Sequence, residues 1–238
     1  MKSITMNLLK KEIKLGNNFQ TLIWLACCLG MYFIPNYPGY IGPFYITIAV
    51  MLTFALNQSS HDILYTTLLP VRKVDVVKAR FLYAGLIETL AILFAVLAAV
   101  VKVLAKFPEN KSGINCNIAF IGFLFCVLSI FNLVFLGSVY KNPLKPGLRF
   151  LASSVIYFLS FAFFEIPVWI YYGTKGKLEA GEISGLSKLA LLGKRLTAPG
   201  QNDLPLHLAI LGFGIVMFAL TWLITFRRAA RQFEKYDM

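Results

Sequence analysis

Long apolar runs alternate with short polar connectors along the chain. Six runs approach the roughly 17–25 residues that a helix needs to cross a bilayer: 19–34, 41–57, 81–105, 116–139, 150–172 and 205–226. The first two are short, which predicts tilted or incompletely spanning helices. Between them "PNYPGY" predicts a tight turn, because Pro35, Pro38 and Gly39 cannot continue a helix. Two further segments show one-sided helical patterning. Residues 4–16 put Ile4, Leu8, Leu9 and Ile13 on one face with lysines opposite, the pattern of a helix lying in the membrane plane. Residues 183–196 do the same with Ile183, Leu186, Leu189 and Ala190 against Lys188, Lys194 and Arg195. That second segment belongs to the long connection 173–204, and connections of such length are usually functional or flexible. The expected fold is all-α: a single transmembrane domain over residues 1–238, with an interfacial helix in 1–18 and a cytoplasmic loop at 58–80.

Composition supports a bilayer rather than a large soluble core. Charged residues make up 14% of the chain, against roughly 25% in soluble domains. Mean hydropathy is +0.70. The net charge of +12 could point to nucleic acid, but in an apolar chain it reads as basic connectors facing the cytoplasm and anionic headgroups. Four groups hold most of the 23 Lys and Arg: Lys2, Lys10, Lys11 and Lys14; Arg72, Lys73, Lys78 and Arg80; Lys141, Lys145 and Arg149; and Arg227, Arg228, Arg231 and Lys235. With the N-terminus inside, all four fall inside, so both termini are expected to be cytoplasmic. Cys27, Cys28, Cys116 and Cys126 lie in or beside apolar runs without metal or framework spacing and read as small apolar residues. The first 18 residues are polar and basic for too long to form a cleavable signal peptide.

Several enzyme classes are excluded by missing chemistry. A P-loop needs G-x-x-x-x-G-K-[ST]; "GLSKLALLGKRL" has the wrong glycine spacing and no hydroxyl after the lysine. The chain is not expected to hydrolyse ATP or to bind a metal or cofactor. His61 and His207 lie far apart and form no H-E-x-x-H. No G-x-S-x-G elbow is present. Asn110 opens an "NKS" triplet that matches a glycosylation acceptor, a short pattern of low specificity. Glu88 and Glu165 fall inside apolar runs. An acid there costs about 2.5–3.5 kcal/mol on insertion scales, so each reads either as a wall of a polar pathway or as a side chain satisfied by a neighbour. Lys102 is at a suitable depth for Glu165. Pro167, two residues after Glu165, predicts a kink or break.

The polar stretch between the second and third runs has its own design. Ser59 suits an N-cap and Asp62 places negative charge at a helix start. A short helix is expected over 61–69 with Ile63, Leu64, Leu68 and Leu69 apolar, and Pro70 ends it. A second helix is expected from near Arg72, running unbroken into the third span, with Val74, Val77 and Phe81 on one face. A push on the short helix would then reach the span.

"DILYTTLLPVRKVDVVKARF" resembles the first cytoplasmic loop of type 2 ABC-transporter permeases, the six-span membrane subunits of bacterial ABC exporters. Leu69, Pro70, Val71, Arg72, Lys73, Asp75, Val76, Val77, Lys78, Arg80 and Phe81 follow that loop's pattern. Arg72 departs from it, since Ser or Lys more often follows the Pro-Val pair. The resemblance implies that the loop is a coupling helix, with Asp62, Ile63, Leu64, Leu68, Leu69, Pro70, Val71, Arg72 and Lys73 facing a separate ATP-binding subunit. It implies two permease chains, identical or paralogous, and two ATP-binding subunits that carry ATP and magnesium. It also implies a connecting helix at the N-terminus and a lid-like segment before the last span. Glu88 and Glu165 would lie along the substrate pathway. Amphipathic or antimicrobial peptides, hydrophobic drugs and lipids all remain open as cargo. Two other readings stand beside this one: a six-span substrate-binding subunit for vitamin or metal uptake, and an intramembrane enzyme. The first would lack the "LLPVRK" loop, and the second lacks a nucleophile.

Overall fold

The computed structural model describes residues 2–59, 65–66, 68, 70–143, 145–180, 185–197 and 201–235. Among them every regular element is helical, as the run pattern predicts. Helix α1 covers Lys2–Gly16, α2 Phe19–Met31, α3 Ile41–Ser59, α4 Lys73–Leu104, α5 Ile118–Val134, α6 Leu136–Val139, α7 Pro146–Glu179, α8 Lys188–Thr197 and α9 Leu204–Glu234, the last entered through a 3-10 turn at Gln201–Asp203.

Local chemistry sets the boundaries. Asn18 caps α2 by accepting the Thr21 N–H at 2.9 Å, and Asn117 caps α5 by accepting the Phe120 N–H at 3.0 Å. Arg72 sits in extended backbone just after Pro70, and α4 starts at the next residue. Its 32 residues then run without a break, about 48 Å at 1.5 Å per residue, well beyond a hydrocarbon core of about 30 Å. The expected fusion of a polar stub to a spanning helix is therefore present.

Two expectations about the spans change, and the first run is short as expected. Only four helices among the described residues are long and apolar enough to cross a membrane: α4, α5 continued by α6, α7 and α9. Helix α2, with 13 residues, reaches about 20 Å. It stops at Met31 because residues 32–36 turn, with Asn36 at φ 52. Of the kink or break expected at Pro167, a break does not occur: α7 passes through it continuously and extends to Glu179, seven residues beyond the expected end of that span at 172. The fourth run is the interrupted one, divided at Phe135 into α5 and α6.

Helix α5 forms the centre. Phe120, Leu124, Val127, Leu128 and Phe131 are fully buried. The helix contacts α9, α7 and α4, while α2 and α3 pair beside α4. Helix α9 crosses α5 closely at two glycines. A Cβ on Gly122 would lie 2.7 Å from the Leu211 nitrogen, and one on Gly214 would collide with the Gly122 carbonyl. Small residues at such crossings let backbones touch where lipid offers no hydrophobic driving force. An aromatic stack fills the gap towards α7: Tyr40 lies on Phe161, Phe131 lies on Phe135, and the Tyr157 hydroxyl donates to the Tyr40 carbonyl at 2.7 Å.

Packing gathers the four basic groups at one end. Lys73 reaches the Glu234 carbonyl at 3.4 Å, Arg80 reaches Glu12 at 3.4 Å, and Gln232 donates to the Gly137 carbonyl at 3.0 Å. The opposite end is made of the 32–40 turn, the 105–117 connection and α8. Asn110 donates to the Tyr37 carbonyl at 2.9 Å, which buries the side chain of the "NKS" triplet.

Candidate functional site

At the basic end, the segment preceding α4 is the most open part of the expected site. Residues 65, 66 and 68 are helical. Tyr65 is 68% exposed and Leu68 is 76% exposed, although both are apolar. Pro70 and Arg72 are exposed, and Val71 and Lys73 are half-buried, with Val71 packed on the core edge. Asp62, Ile63, Leu64 and Leu69 lie outside the described residues. A backing of fixed contacts lies behind this open face. Arg72 grips Asp75 through two hydrogen bonds of 2.9 and 3.2 Å, and the Thr5 hydroxyl approaches the same carboxylate at 3.5 Å. The Lys11 ammonium donates to the Thr66 hydroxyl at 2.8 Å. Thus α1 touches both the short helical segment and the start of α4.

The deepest contact of α1 is ionic. Arg80 and Glu12 pair at 3.4 Å with side chains only 2% and 3% exposed. Arg80 also lies 5.8 Å from the Phe54 ring centre. One helical turn further, Tyr83 donates to Asn17 at 3.2 Å. The expected stub face is extended accordingly: Val77 and Phe81 are buried, Val74 is half-buried, and Val76 and Arg80 join them. Arg80, which reads as a cytoplasmic surface charge in the sequence, is an interior residue.

Glu88 and Glu165 are both buried, on different elements, and each has its own partner. The Asn132 amide donates to Glu88 at 2.8 Å. The Ile114 N–H donates to both oxygens of Glu165, at 2.8 and 3.2 Å. Lys102 contacts the Cys116 sulfur at 3.8 Å, and the hydrogen bonds of Glu165 go to Ile114 instead of to Lys102.

The segment before the last span is docked on protein. Helix α8 buries Ala190, Gly193, Leu196 and Thr197. Leu189, on the apolar face expected to lie on the membrane, is 52% exposed; Leu186 is half-buried, and Ile183 lies outside the described residues. Gly193 sits directly on the Pro167 carbonyl, where a Cβ would collide. The last carbonyls of a helix have no partners within it. Here His207 meets the Arg195 carbonyl at 2.9 Å, Asn117 donates to that of Leu196 at 2.7 Å, and Asn115 to that of Thr197 at 3.0 Å.

Sequence patterns alone miss several of these residues. Glu12 sits within "KKEIK" and looks like part of a solvated face. Asn132 is a lone amide in an apolar run. Asn115 and Asn117 flank Cys116 in a loop. Only the general cost of burying polar groups marks them in advance.

The model for the ABC-2 family of transporter proteins matches residues 7–228. No curated protein and no solved structure matches the chain. Four long apolar helices, a continuous stub-to-span helix and a family match over nearly the whole length agree. The chain is a multi-pass membrane protein and belongs to the ABC-2 transporter family, whose membrane subunits work with an ABC ATP-binding partner.

Proposed function

We propose that this chain is the permease subunit of an ATP-driven exporter and couples to its ATP-binding partner through the segment before α4. The observation that carries this reading is the pairing of an exposed apolar step, Tyr65 and Leu68, with a rigid helix that begins five residues after Leu68 and enters the membrane without a break. Exposed apolar side chains next to a fixed lever suit a surface that receives a partner and passes on its movement. Asp62, Ile63, Leu64 and Leu69 complete the contact, with Pro70, Val71, Arg72 and Lys73 at its edge. The basic end is cytoplasmic, with both termini there, because the four cation groups gathered at that end follow the positive-inside pattern. In this reading α2 and α3 supply the first two crossings of a six-span bundle, two chains join two ATP-binding subunits, and α8 is an outer lid. Nucleotide and magnesium bind to the partner. Amphipathic peptides or other hydrophobic compounds are the cargo, and Glu88 and Glu165 are the charges along their path.

Copurification tests the coupling surface. The wild-type chain is expected to retain an ATP-binding subunit, and Leu68→Asp is expected to lose it while remaining in the membrane at normal level. Retention by both would remove this segment from the interface. Glu88→Gln and Glu165→Gln are expected to preserve the assembled chain and to slow transport; unchanged transport in both would return these acids to a purely structural role.

A further inference from the structure

A side groove lies on the outer surface of the helix bundle, between α1, α4 and α9. Its apolar part, ≈590 Å³, is lined by Leu9 of α1, Leu82, Leu86 and Thr89 of α4, and Phe218 and Trp222 of α9. The Thr89 hydroxyl is committed to the Gly85 carbonyl at 2.7 Å, so it adds little polarity to the wall. Gly85 lies under the Trp222 ring, which keeps the floor flat. Leu9 and Leu82 also line a second cavity of ≈390 Å³, bordered by Thr5, Arg72, Asp75 and Lys78. The two cavities are therefore neighbours, with Leu9 and Leu82 between them. Lys78, Leu82 and Leu86 stand one above another at four-residue spacing on α4, so the surface descends from a charged rim to an apolar trough within about two turns.

The rim carries two cations and one carboxylate. Arg72 neutralises Asp75 directly, while Lys78 is exposed and acts on that carboxylate only from a distance, forming no salt bridge among the described residues. The combination of a cationic rim at the helix start and an apolar trough on the outer surface of the bundle matches an anionic amphiphile. We infer that this groove binds one acidic phospholipid, with its phosphate at Lys78 and an acyl chain along Leu82, Leu86 and Trp222. Placing that lipid in the cytoplasmic leaflet rests on the orientation proposed above; binding itself does not. A lipid seated there would touch α1, α4 and α9 at once, beside Arg72 and the coupling segment.

Trp222 provides the readout. The full chain with Trp24→Phe and Trp169→Phe keeps Trp222 as its sole tryptophan. In nanodiscs of phosphatidylcholine, brominated phosphatidylglycerol is expected to quench Trp222 at a mole fraction about fivefold lower than brominated phosphatidylcholine, the selectivity that one surface lysine supplies. Lys78→Gln is expected to abolish that difference. Ala219→Leu, which narrows the trough from an exposed position, is expected to weaken quenching by both lipids. Nanodiscs expose both leaflets, so the result does not depend on orientation or on an ATP-binding partner. Native mass spectrometry of the wild-type chain is expected to retain one phosphatidylglycerol, lost in Lys78→Gln, and covers the case in which the tryptophan variant fails to fold. Equal quenching by the two lipids in the single-tryptophan chain, or a preference that survives Lys78→Gln, overturns the inference. Protection of Trp222 from both lipids on self-association overturns it as well, by assigning the groove to a second copy.

Discussion

Arg80 and Glu12 show how far a residue's role can lie from its appearance. The sequence offers a lysine-rich helix and a basic stub, and both charges look solvated. The fold buries them face to face. A buried pair adds little net stability compared with an apolar pair of the same shape, but removing one partner strands a charge. Arg80→Met leaves Glu12 with the Lys11 ammonium at 3.6 Å, so it is expected to cost less than the about 3–5 kcal/mol of a fully stranded buried charge, read as a lower unfolding midpoint in detergent. Glu12→Leu combined with Arg80→Met is expected to recover most of that loss. Glu165 follows a milder rule. Glu165→Leu orphans the Ile114 N–H at a cost of about 1–3 kcal/mol, whereas Glu165→Gln retains an acceptor and is expected to unfold close to the wild-type midpoint. Both acids were visible in the sequence because charge is conspicuous in an apolar run. Their partners were not, since Asn132 and the Ile114 backbone carry no pattern of their own.

Elements were legible wherever their cause was local. Proline after a short polar helix, a basic stub and a long apolar run predict α4 as one piece, and it is one piece. Pro167 was expected to kink or break α7; a missing N–H does not itself decide a break, and the helix is continuous. Gly193 packs directly on the Pro167 carbonyl, which holds α8 on α7. The face that docks α8 on α7 was silent in the sequence: glycine carries no hydrophobic signal, yet Gly193 sets the contact. The α5–α9 crossing at Gly122 and Gly214 was likewise silent. Gly214→Val is expected to separate these two helices and to lower the thermal midpoint more than Gly212→Val, whose position has open space around it. Comparing the two midpoints isolates the crossing from ordinary helix propensity.

At the scale of the whole molecule, the sequence conveyed the class, the helical content and the segregation of charge. Bilayer physics imposes all three on any multi-pass chain. The short reach of α2 was legible in the length of its run, but the turn that ends it at 32–36 was not, because that turn depends on contacts with the 105–117 connection. The Ser112 hydroxyl donates to the Asn36 carbonyl at 2.7 Å, and the Lys111 N–H donates to the Asn36 side chain at 3.2 Å. The assembled architecture has an open apolar step at one end, a continuous lever through the middle and a side-chain clamp on α8 at the other end. The central claim is that the step receives the ATP-binding subunit. Site-directed crosslinking tests it most directly. Leu68→Cys and Lys111→Cys are compared in the assembled transporter with a bifunctional maleimide, Cys27 being replaced by Ser and the other native cysteines being buried. A crosslink from position 68 to the ATP-binding subunit, with none from position 111, is the predicted result. A crosslink from position 111, or none from position 68 in a transporter that still hydrolyses ATP in response to cargo, would contradict the account.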